Sequence, residues 1–195
     1  MNYKIITPIT NEPIALVEAK LHIRVSMDDT AEDSLIEGFI TAAREYVENY
    51  ARRALALQTV EAYLPKFPCS DRIELPRPPL QNVLSVSYKN SAGIETTMTA
   101  NVDYLVDTEN GAGVVVLPYG KNWPSYTPYP VNSVKIRYIA GYTYSNLIPK
   151  SIKQAMFLLI GHWYENREAV VIGSTTKEIE FAVKALLGMY KSSWF

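Results

Sequence analysis

Apolar positions along the chain repeat first at the spacing of a helix, then at that of a strand, then at that of a helix again. After Pro13, Leu16, Ala19, Lys20 and Ile23 recur at helical spacing, with the proline where a first turn tolerates one. Asp29-Thr30-Ala31-Glu32 reads as a capping box, with Asp29 accepting from the third amide while Glu32 reaches back. The helix it opens is expected over about 30–52. Its apolar face is Leu35, Ile36, Phe39, Ile40, Ala43, Val47 and Tyr50, with Glu37, Arg44, Glu45 and Glu48 largely on the other side. From Leu57 the period becomes two, which predicts strands over Thr59-Val60-Glu61-Ala62-Tyr63-Leu64 and Arg72-Ile73-Glu74-Leu75. Val83 to Tyr88 and Ile94 to Met98 read as a hairpin whose turn holds Gly93, and further strands are expected at Tyr104 to Val106, Gly113 to Leu117 and Val134 to Ile139. Residues 118–130 carry four prolines, three tyrosines and Trp123, the makings of an ordered loop. Pro149 restarts helix, and Ala155 to Tyr164 is apolar on nearly every side, so it must be buried on nearly every side. A polar break follows, then a second capping box, Thr175-Thr176-Lys177-Glu178, opens a terminal helix through Ile179, Val183, Leu186, Leu187 and Tyr190.

This pattern gives an α+β fold: a helical core of about four helices, two N-terminal and two C-terminal, interrupted by a mostly antiparallel β insertion. One domain over 1–195 is expected, with the core in 1–56 and 147–195 and the β-rich insertion in 57–146. The length of 195 residues suits a single domain. Nineteen basic against 20 acidic residues leave a net charge of −1, so no global field draws the chain to nucleic acid or an anionic membrane. The longest apolar stretch is half of the ~20 residues a membrane span needs. A single cysteine, Cys69, excludes an internal disulfide and suits a reducing compartment, and no export or transit pattern opens the sequence. Fourteen tyrosines fit either an interface-rich surface or ordinary β-forming positions.

Candidate chemistry is thin. Beside Cys69 the titratable catalytic types are His22, read as a structural histidine, and His162. His162 and Glu165 stand three apart on one helix face, as two metal ligands could, but no second pair and no His-Glu-x-x-His run accompanies them. Glu165 and Arg167 suit helix-end ion pairs better. Gly111-Ala112-Gly113 precedes a strand and lacks the rest of any phosphate loop, and Gly-x-Ser-x-Gly does not occur. Arg52 and Arg53 suit the negative end of the long helix. No enzyme, metal or cofactor is expected.

Four pieces, in this order and spacing, carry a resemblance: Pro13 to Arg24; Ala42-Ala43-Arg44-Glu45-Tyr46-Val47-Glu48; Leu75-Pro76-Arg77-Pro78-Pro79-Leu80 with Val83, Val86 and Tyr88; and Ala140-Gly141-Tyr142 leading to His162-Trp163-Tyr164-Glu165-Asn166-Arg167-Glu168. Over most of its length the chain resembles the head-tail connector (adaptor, or head-completion) family of tailed bacteriophages and prophages. The resemblance implies a structural adaptor in the virion, made in the bacterial cytoplasm. Such an adaptor forms a ring of about twelve copies joining the portal to the stopper or tail-completion protein, with DNA only passing through its channel. The subunit in isolation would be either a ring or a monomer awaiting the portal, and another virion protein, a stopper or tail-completion protein, is the alternative. Portal contact would fall on Tyr190, Lys191, Trp194 and Phe195, although the last two aromatics could also fold back on their own core. Contacts between subunits are expected at Arg44, Glu48, Arg52, Trp123, Tyr126, Glu165 and Arg167. The resemblance gives no guide to the β insertion.

Overall fold

A computed structural model describes residues 1–109, 111–167 and 175–192, with side chains of 175–180 left aside. The chain divides into two compact units. The first combines Met1–Ile9 with Leu57–Tyr142, and the second combines Thr10–Ala56 with Thr143–Lys191.

Every strand belongs to the first unit, and all ladders are antiparallel. One sheet of five strands has the order β1-β2-β8-β4-β5, where β1 is Asn2–Thr7, β2 Gln58–Leu64, β4 Leu80–Lys89, β5 Glu95–Thr97 and β8 Val134–Ala140. A second, three-stranded sheet runs β3-β7-β6, with β3 Arg72–Glu74, β6 Leu105–Asp107 and β7 Val114–Val116. The alternation read from the sequence is the pleat itself. On the central β8, Val134, Ile136, Tyr138 and Ala140 are buried, while Lys135 and Arg137 between them face outward. Register places Val60 and Val83 on either side of Tyr138, so one face of the sheet is a continuous apolar layer. The Tyr138 hydroxyl donates to the Pro76 carbonyl at 2.7 Å, which satisfies its one polar atom inside that layer. The opposite face is polar: Arg137 pairs with Glu61 at 2.9 Å and Lys135 with Glu95 at 2.8 Å. The turn before β5 uses Gly93 at φ +82, as the hairpin requires.

Strand β1 has no counterpart in the sequence pattern. It is an edge strand, exposed at every position except Ile6, so neither face imposes an alternation on it.

The second unit is helical: α1 Leu16–Ile23, α2 Asp33–Ala51, α3 Lys150–Glu165 and α4 Thr175–Leu187. α2 packs on α3, α3 on α4, and α1 on both α2 and α3. As its sequence demands, α3 lies at the centre, burying Ile152, Ala155, Met156, Leu159 and Ile160. Lys20, 3% exposed, binds α1 to the start of α2 by pairing with Asp33 at 2.5 Å and to the turn before it by donating to the Asp29 carbonyl at 2.6 Å. No helix among the described residues is long and apolar enough to cross a membrane.

Two sequence readings are corrected. The capping box at Asp29 does not form: α2 starts at Asp33, and Glu32, its N-cap residue, makes no side-chain cap hydrogen bond. Asp29 instead accepts from the Ala31 amide at 3.1 Å, a local turn that competes with helix. Arg44 and Glu48 are not on a solvated side of α2, being 9% and 3% exposed. At the first helix, Pro13 stands ahead of α1, whose N-cap is Ala15 and whose Glu18 carboxylate accepts from the Ala15 amide at 3.0 Å.

Candidate assembly surfaces

Within the helical unit, the ends of α2 and α3 are joined by a knot of charge-assisted bonds. Glu32 accepts from the Tyr164 hydroxyl at 2.6 Å and from Arg167 at 2.7 Å, and the guanidinium lies 4.7 Å over the Tyr164 ring. Arg167, and then Tyr164, hold the Glu32 carboxyl below its ordinary value, while Glu32 raises both Arg167 and Tyr164. One turn in, Trp163 packs obliquely on Phe39 at 6.4 Å. Asn166 ends α3 by donating its side-chain amide to the His162 carbonyl at 2.9 Å, and the same amide nitrogen lies 3.2 Å from Nδ1 of His162. Glu165 is exposed. No group of His, Cys, Asp and Glu among the described residues has the geometry to hold a metal.

A second network lies along α2. Arg44 reaches Glu12 at 3.0 Å, Glu48 at 3.1 Å and Glu45 at 3.4 Å. Thr41 donates to Glu12 at 3.0 Å, and the Leu55 amide donates to Glu48 at 2.7 Å. Burial works to lower the Arg44 pKa, but Glu12 and Glu48 outweigh it and the guanidinium is held more firmly charged. Arg44 and Glu48 thus face their own chain. Beside them opens a groove of about 430 Å³ between the approach to α1 and the first half of α2. Its floor is Ile14 and Ile40, and Glu12, Glu37 and Thr41 stand around it. Arg52 caps α2 at φ 54 with its side chain exposed, where left-handed backbone closes the helix.

At the other end of the unit, Arg53 donates to the Tyr190 carbonyl at 2.9 Å, and the Lys191 ammonium lies 5.5 Å from the centre of the Tyr50 ring. Tyr50 in turn stacks on Tyr46 at 6.4 Å. Tyr190 and Lys191, expected at the portal, are therefore anchored to the C-terminal turns of α2. Trp194 and Phe195 lie outside the described residues, as do the side chains of the second capping box.

In the β unit, the proline-rich loop closes on an aromatic cluster. Phe67 stacks on Trp123 at 4.8 Å and meets Tyr88 at 5.8 Å and Tyr126 at 6.0 Å edge-on. The Trp123 indole donates to the Ser70 carbonyl at 2.7 Å, and the Tyr126 hydroxyl lies 2.8 Å from Ser133 Oγ. Both rings are half-buried, while Tyr119 on the same loop is fully bare.

Sequence reasoning singled out Arg44, Glu48 and Arg167 but not their partners Glu12 and Thr41, nor the role of Glu32. The signal for these is a carboxylate just before a helix, which becomes legible only once the opposing helix is known.

A helical unit held by internal ion pairs and a unit of two antiparallel sheets together define the class: a mixed α+β protein. Residues 22–192 match the model of the head completion protein family. The chain belongs to that family. Among curated protein sequences none matches it. Its fold is similar to a chain in the neck of an empty gene transfer agent (GTA) particle computed with C6 symmetry, with TM-score 0.80 and 23% identity over 100% of this chain and 97% of that one. It is similar also to a chain in the virion of a native GTA particle, at TM-score 0.79 and 23% identity, again covering 100% and 97%. A chain in the native GTA neck computed with C12 symmetry gives TM-score 0.72 and 22% identity at the same coverage.

Proposed function

We propose that the protein is a non-enzymatic structural adaptor at the head-tail junction of a phage-like particle. About twelve copies form a ring that joins the portal to the stopper or tail and extends the channel through which DNA passes. The family match over 22–192 carries this reading. The sixfold and twelvefold symmetry of the necks that hold similarly folded chains supports the ring. The charged groups of the helical unit are taken up in internal pairs, Arg44 with Glu48 along α2 and Glu32 with Arg167 between the ends of α2 and α3. Portal contact is assigned to Tyr190, Lys191, Trp194 and Phe195. Contact with neighbouring copies is assigned to the exposed Arg52 and Glu165 and to the half-buried Trp123 and Tyr126. Native mass spectrometry of the chain mixed with the portal, alongside electron microscopy of the product, tests the reading. A ring on the portal is the expected result, and a strict monomer that ignores the portal overturns it.

A further inference from the structure

The apolar face of the five-stranded sheet runs out to an open edge. Register lines up two rows across it, Val83-Tyr138-Val60-Ile5 and Val86-Ile136-Ala62-Tyr3. Every member is buried until the rows reach β1, where Ile5 is 40% and Tyr3 39% exposed. On the opposite face the row between them reads Ser85-Arg137-Glu61-Lys4. Arg137 pairs with Glu61, whereas the Lys4 side chain makes no hydrogen bond or ion pair among the described residues. The charges alternate toward the edge and stop at an unpaired cation.

No described strand pairs with the outer edge of β1. In an antiparallel ladder alternate residues turn their N–H and C=O groups away from the partner strand, so β1 offers a row of unpaired backbone donors and acceptors. Water satisfies such groups one by one, but only an extended chain matches the spacing of the row. Edges that stay free are kept short, broken by proline or kinked by a bulge. β5, on the far side of the sheet, is three residues long. β1 has six residues, Pro8 follows the strand, and the bulge falls after Ile5, so residues 2–5 form a regular run.

We infer that β1 receives an extended segment of a neighbouring protein, which joins the five-stranded sheet as one more strand. Backbone bonds hold it, and the rows specify its side chains: apolar residues opposite Tyr3 and Ile5, with a carboxylate between them opposite Lys4. Arg77 lies 5.7 Å over the Tyr3 ring and donates to the Tyr3 hydroxyl at 3.3 Å, so that part of the edge is set before the segment arrives. A second copy is the poorer occupant. Pairing β1 with β1 so that Tyr3 meets Ile5 sets Lys4 directly against Lys4, and such a two-fold contact closes at two copies. The inference goes beyond the ring reading and does not depend on it.

NMR of the full chain during titration with the acetylated, amidated peptide Thr-Val-Glu-Val-Thr tests this. The amides of β1 are expected to shift and to exchange more slowly with solvent, while those of β5 stay as they are. The peptide with lysine in place of glutamate should bind about three- to tenfold more weakly, and on Lys4→Glu the order of the two peptides should invert. Circular dichroism checks the fold of that variant; should it fold poorly, Lys4→Gln stands in, on which the two peptides should bind alike. Of two versions of the glutamate peptide N-methylated on alternate amides, one should lose binding and the other keep it, because only one set of amides faces β1. Shifts that are absent from β1, equal binding of the two methylated versions, or a peptide order that Lys4→Glu leaves unchanged each overturn the inference. So does protection of the same β1 amides in the wild-type chain alone, rising with its concentration, since the occupant would then be a second copy.

Discussion

Arg44 holds three carboxylates with one guanidinium, and of these only Glu48, 4% exposed at its side chain, is as buried as the arginine. Removing one partner of a buried pair strands the other. Arg44→Met should therefore destabilise the helical unit by about 3 kcal/mol, and adding Glu48→Gln should restore part of it. Urea unfolding of the two single variants and the double variant reads the coupling; strictly additive losses would show that the pair is not an interacting unit. Glu32 makes a pH-dependent prediction. Arg167 lowers its carboxyl in the folded chain below the ordinary 4.5. Its contribution is thus present above 4.5 and lost as pH falls through the folded value. The stability gap between the wild-type chain and Glu32→Gln should be constant near neutral pH and close in acid. A gap that is the same at every pH would mean that Arg167 and Tyr164 do not perturb the carboxylate. These residues also mark how far the sequence could be read. The helical wheel set Arg44 and Glu48 outward because it sees only α2, whereas Glu12 ahead of α1 and the Leu55 amide beyond α2 cover them. Likewise the capping box at Asp29 was a sound local signal. Glu32 was drawn away by two groups on the far end of α3, a long-range pairing that no local pattern encodes.

Helices and strands with one buried face were the legible elements. β8 alternates between buried and more open positions along its whole length, and its observed bounds, like those of β2, β4 and α3, fall close to those read from the sequence. Edge strand β1 buries no face and left no such trace. Turn chemistry separates two glycines that look alike in the sequence. Gly113 and Gly93 both have positive φ, +74 and +82. A Cβ on Gly113 would fall inside the Leu80 side chain, whereas at Gly93 the nearest atom is the flexible end of Lys89 at 3.7 Å. Gly113→Ala should thus cost about 2–5 kcal/mol, backbone strain plus overpacking, and Gly93→Ala only about 1–2 kcal/mol. Equal shifts in the urea midpoints would contradict this reading of the β6–β7 turn.

For the whole molecule, the resemblance found in the sequence and the family match agree on what the chain belongs to, while the surfaces it offers emerged only from the fold. Tyr190 and Lys191 are fastened to the end of α2, and the portal contact proposed above falls on them together with Trp194 and Phe195. Deleting residues 193–195 should abolish co-sedimentation with the portal and leave the urea midpoint within about 0.5 kcal/mol of the wild type. Retained portal binding would move that contact elsewhere.

The register of the sheets has a consequence for synthesis. Asn2 pairs with Tyr63, and Gln58 with Ala140, so β1 and β2 have no complete sheet until β8 leaves the ribosome. In the same way α1 and α2 wait for α3, the helix against which both are packed. Neither unit can close on a nascent chain that ends short of these elements, and assembly-competent subunits appear only after both have emerged. Chains stopped at residue 130 should accordingly remain protease-sensitive on stalled ribosomes, while chains carried through α4 should be protected.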